Sequence, residues 1–143
     1  MKEIKELSIY SFVFGLAAGV VSILPAVGII VFLAILFCTS IAVFFIMIYR
    51  GTDLTINESK GLGYGAISGF LSIIGFACSF LPISFVLSLI FKQSYFTGIS
   101  FIVKNGFSLM FMIIFAVAVL SAMMNAFSGL AGMGLVESLK KRK

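Results

Sequence analysis

The five acidic residues of this chain, Glu3, Glu6, Asp53, Glu58 and Glu137, all fall outside four long apolar runs that take up most of its 143 residues. A bilayer core about 30 Å thick is crossed by about 20 apolar helical residues, and an ionised side chain at its centre costs about 2.5–3.5 kcal/mol. Runs of that length, cleared of acid, describe helices in lipid. Composition agrees: 10% of the residues are charged and 62% hydrophobic, whereas soluble domains carry about 25% charged residues. The expected fold is therefore all-α, an integral membrane four-helix bundle forming one domain over residues 1–143.

The first span is expected at about 9–24, stopping at Pro25 in the turn-forming stretch Leu24-Pro25-Ala26-Val27-Gly28. The second follows at once, at about 29–49, so the two should form a tight antiparallel hairpin. Residues 50–60 are the longest internal polar stretch and belong in water. The third span is expected at about 62–80 and the fourth at about 105–127. Between them, residues 81–104 are too apolar for an ordinary loop yet contain Lys92 and Lys104. A fifth span there would hold Lys92 near mid-bilayer with no acidic partner, so a partly embedded external segment is preferred, interfacial or re-entrant, with both lysines reaching the headgroups. The alternative is a third helix continuing to Phe91 with a kink at Pro82, since helices in lipid tolerate proline. The N-terminal run loosely resembles a secretory signal, but Glu3 and Glu6 cancel Lys2 and Lys5 and leave a poor positive flank.

Four spans put Lys2, Lys5, Arg50, Lys60, Lys140, Lys141, Arg142 and Lys143 on one side and only Lys92 and Lys104 on the other. The positive-inside rule then predicts an inner, cytoplasmic membrane protein with both termini in the cytoplasm. The net charge of +5 sits beside apolar spans, so anionic lipid headgroups are the expected partner of Lys92, Lys104 and the tail Lys140, Lys141, Arg142 and Lys143, and nucleic acid is not. Tyr10, Tyr49, Tyr64 and Tyr95 fall near span ends, where their rings suit the headgroup level.

An offset of 50 aligns Gly15 with Gly65, Gly19 with Gly69, Ser22 with Ser72 and Ile23 with Ile73, which raises two tandem helical hairpins as a possible origin of the bundle. Independently of that repeat, Ser11, Gly15 and Gly19 recur every four residues, as do Gly61, Gly65 and Gly69. Helices in lipid associate through close van der Waals contact, which small residues permit. Both stripes are therefore expected to be helix-contact faces, within one chain or between chains.

Catalytic chemistry is hard to find. The chain has no His, the commonest metal ligand and general base. Asp53 and Glu58 lack a nucleophile or ligand set beside them. The glycines of Gly61-Leu62-Gly63-Tyr64-Gly65 have neither the preceding strand nor the following Gly-Lys-Ser of a phosphate loop. Cys38 and Cys78 lie in spans and read as reduced packing residues. Thr39, Ser40, Ser108 and Ser121 can bond carbonyls one turn back, while Asn105 and Asn125 fall near the two ends of the fourth span. No acid or base stands near mid-bilayer, which argues against proton-coupled transport. The expectation is a non-enzymatic accessory subunit or scaffold without a cofactor, acting through helix–helix association with copies of itself or other membrane subunits. The alternative is a passive channel or small-solute transporter formed as a homo-oligomer.

Overall fold

A computed structural model describes residues 2–52, 58–91 and 106–140, and these form four helices: α1 (Lys2–Val21), α2 (Pro25–Tyr49), α3 (Glu58–Phe91) and α4 (Phe107–Lys140). Each is long and apolar enough to cross a membrane. The four-helix membrane architecture is thus the one the apolar runs demand.

The turns follow from local chemistry. Leu24 is extended, with φ −72° and ψ 115°, as a residue before proline prefers, and Pro25 opens α2 at a position where its missing N–H is no loss. A side chain at Gly28 would stand 2.6 Å from the Ser22 carbonyl oxygen, so glycine lets α2 start beside the end of α1. At the far end of α2, the Thr52 N–H bonds the Met47 carbonyl and the Gly51 N–H the Ile48 carbonyl, each at 3.0 Å. Gly51 turns left-handed at φ +76°. This is the Schellman closure, in which glycine supplies the positive φ that other residues resist.

Helix α3 does not stop at Leu81. It runs through Pro82 to Phe91, so residues 81–91 continue the helix, as in the kinked alternative, and do not begin a separate external segment. Proline removes the in-helix donor to the Cys78 carbonyl but is tolerated in lipid-embedded helices. Residues 92–105, with Lys92 and Lys104, lie outside the described residues. At 34 residues each, α3 and α4 are roughly 50 Å long, well beyond a hydrocarbon core of about 30 Å. Helix α4 accordingly carries Glu137 and Ser138 in its last turns, past the apolar run.

Two apolar layers fix the directions of the helices. One joins Leu7 of α1, Val43, Phe44 and Met47 of α2, Tyr64 of α3 and Met133 of α4. The other joins Ala18, Ile35, Ile73 and Ala118, again one from each helix. Consecutive helices are therefore antiparallel, and the start of α1 shares an end of the bundle with the close of α4. Helix α3 packs on all three others, while α1 and α4 do not touch among the described residues. In cross-section, α2 and α3 form the short diagonal of a rhombus.

Candidate functional site

Between the two apolar layers lies a polar one. Ser11 of α1, Thr39 and Ser40 of α2, Ser68 and Ser72 of α3, and Ser121 and Asn125 of α4 are all 0% exposed. An unpaired amide or hydroxyl at that depth would cost several kcal/mol. Four of the hydroxyls turn back on their own helices: Ser11 donates to the Leu7 carbonyl at 2.7 Å, Thr39 to Ile35 at 2.8 Å, Ser68 to Gly65 and Ser72 to Gly69 at 2.9 Å each.

Asn125 is the centre of the layer. Its Nδ2 donates to the carbonyls of Ile35 at 3.0 Å and Leu36 at 2.9 Å on α2, and to Ser121 on its own helix at 3.1 Å. Its Oδ1 accepts the Ser40 N–H at 3.0 Å. In an ideal α-helix the Ser40 N–H and the Leu36 carbonyl bond each other. The amide of Asn125 bridges the two, presenting a donor to the acceptor and an acceptor to the donor, and the opposite amide orientation would set like against like. Ser128 completes the contact through the Ser40 hydroxyl. Helix α4 is thus fastened to the backbone of α2.

The small-residue stripes define two seams. In α3, a side chain at Gly65 would stand 2.1 Å from the Asn125 carbonyl oxygen, at Gly69 2.5 Å from that of Ser121, and at Gly61 2.9 Å from Met133. A side chain at Gly129 of α4 would in turn run into the Gly61 carbonyl oxygen. In α1, Gly15 would clash with the Ser72 carbonyl of α3 at 2.0 Å and Gly19 with the Ser79 hydroxyl at 2.1 Å, while Gly75 of α3 faces Phe12. The Ser79 hydroxyl donates across this seam to the Leu16 carbonyl at 2.9 Å. Both stripes pack inside one chain. The glycines aligned by the 50-residue offset have different partners: Gly65 meets the antiparallel α4, whereas Gly15 meets the parallel α3.

At the end bearing the α1 N-terminus, the acids of the first helix act as fasteners. The Glu3 carboxylate accepts the Tyr64 hydroxyl and Glu6 accepts the Thr52 hydroxyl, both at 2.7 Å. The Arg50 guanidinium stands 5.3 Å from the Tyr10 ring centroid, within cation–π range. Lys140 ends α4; Lys141, Arg142, Lys143 and Asp53 lie outside the described residues.

At the opposite end, α3 and α4 part. The glycine seam finishes at Gly69 and Ser121, and Phe70 and Phe115, edge to face at 6.2 Å, hold the helices apart beyond it. The result is an apolar groove of about 420 Å³ whose walls include Ile74, Ala77, Leu81, Met110, Phe111 and Ala118. Asn125 is the residue that sequence reasoning misplaced, because hydropathy ended the fourth span at Phe127 while the helix continues to Lys140. The signal was present: Ser121, Asn125, Ser128, Gly129 and Gly132 share one helical face. Compared with known proteins, the chain matches no family model, no curated protein and no solved structure.

Proposed function

We propose that this chain is a non-enzymatic accessory subunit or scaffold of the cytoplasmic membrane, with both termini in the cytoplasm, that works by associating with other membrane-spanning helices. The observation that carries this reading is how the polar side chains are spent. Asn125, Ser40 and Ser79 are committed to bonds between helices, Ser121 bonds Asn125 on its own helix, and Glu3 and Glu6 bond hydroxyls on other elements. The outward surface is large and apolar, above all on α4, where Phe111, Met112, Phe115, Met123 and Phe127 are each at least 60% exposed. A passive pore built from several copies around the glycine faces is less well supported, because those faces already pack against α3 and α4 within one chain.

The test is affinity purification of the full chain in mild detergent. A stoichiometric membrane-protein partner or a defined homo-oligomer supports the reading. Recovery as a lone monomer, or solute flux through reconstituted vesicles above that of empty ones, counts against it. Side-specific thiol labelling of cysteines placed at the two termini checks the orientation, and modification of either from the outer face overturns it.

A further inference from the structure

We propose that the turn joining α1 to α2 is submerged in the leaflet opposite Arg50 and Lys60, a hydrocarbon-facing tip over which phospholipid headgroups close, and not a loop that emerges into water. The proposal needs only that the helices cross a membrane, and it is independent of the accessory-subunit reading.

Chemistry comes first. No residue from Leu7 to Tyr49 is charged, and none from Ile23 to Phe37 has a polar side chain. The connection from α2 to α3, by contrast, carries Arg50, Asp53, Glu58 and Lys60. At the tip, Leu24, Ile29 and Ile30 are each more than half exposed, while the nearby Ser22 is turned inward and 5% exposed. In water that apolar surface would cost about 25 cal/mol per Å²; in acyl chains it costs nothing.

The backbone meets the same condition. A chain in lipid must satisfy its own polar groups, which keeps ordinary loops out of the hydrocarbon. Here only Ser22, Ile23 and Leu24 separate the two helices. The N–H groups of Ser22, Ile23, Leu24, Val27 and Gly28 all donate to carbonyls of the chain at 2.8–3.3 Å, and Pro25 has no N–H to satisfy.

Depth decides between a submerged tip and a thinned bilayer. From Glu6 to Leu24 the chain rises about 27 Å, short of a hydrocarbon core of about 30 Å. Gly19 lies against Phe76 and Phe80 of the parallel α3, a register that sets Leu24 level with residues 81–85. Helix α3 continues without a charge to Phe91, about 10 Å further. A bilayer thinned to the level of the tip would strand the exposed side chains Phe85, Val86 and Ile90 of α3 in water. With the tip below the headgroups, both surfaces stay in hydrocarbon.

The test is thiol mapping in lipid nanodiscs, which leave both membrane faces open, on the full chain carrying Cys38→Ser and Cys78→Ser. Maleimide reacts with the thiolate, which hydrocarbon suppresses, so Leu24→Cys and Val27→Cys should react with a charged maleimide at least about tenfold more slowly than Ser59→Cys, at the exposed start of α3. All three should react alike after unfolding in sodium dodecyl sulfate. A neutral bimane fluorophore attached at position 27 should be quenched by phospholipids bearing a nitroxide on the acyl chain and not by aqueous iodide. The proposal is overturned if positions 24 and 27 react as fast as position 59, or if iodide quenches the fluorophore. Slow reaction without quenching by nitroxide lipid overturns it as well, because protein and not lipid then covers the tip.

Discussion

At the scale of single residues, glycines of one helix divide by what surrounds them. Gly65→Ala drives a methyl group into the backbone of α4 at Asn125, and a loss of about 1–3 kcal/mol is expected from overpacking. Gly63→Ala, two residues away with nothing within 4 Å of the added carbon, should instead stabilise by about 0.5–1 kcal/mol through lost unfolded-state freedom. Denaturation in mixed detergent micelles measures both, and equal effects would contradict the seam. Asn125→Ala should cost about 1–2 kcal/mol, the upper range for hydrogen bonds between helices in lipid. Asn125→Asp should cost more, because an oxygen then faces the carbonyls of Ile35, Leu36 and Ser121. The four-residue spacing of Gly61, Gly65 and Gly69 was legible as a contact face, but spacing names a face and not its partner.

Among the elements, the fastening of α1 to the start of α3 can be measured directly. A double-mutant cycle on Glu3→Gln and Tyr64→Phe should give a coupling of about 0.5–1.5 kcal/mol, and a coupling of zero would remove the 2.7 Å bond from the account. The helices themselves were readable because lipid demands long apolar runs. Their ends were not, since hydropathy records where the bilayer stops and hydrogen bonding decides where a helix stops. Helix α4 continues past Phe127 through Glu137, and α3 continues past Pro82, for that reason. The same error set Asn125 near a span end when it stands mid-helix, so the residue that fastens α4 to α2 was read as peripheral.

For the whole molecule, the bundle alternates in layers, apolar, polar, apolar; its rhombic cross-section puts α2 and α3 each against all three other helices, and both glycine seams run along α3. A substitution that weakens α3, such as Gly69→Leu, should therefore loosen both seams together, and limited proteolysis of detergent-solubilised protein should release α1 and α4 fragments in parallel. The chain's order of synthesis gives the polar layer another meaning. Ribosomes deliver α1, α2 and α3 first, and the amide that engages the Leu36 carbonyl and Ser40 N–H arrives only with α4. Until then the second helix sits in the bilayer without its fastener. A chain interrupted before Phe107 should insert three helices without the Asn125 contacts to α2, and a pulse-chase comparison should show it degraded faster than the chain that includes α4.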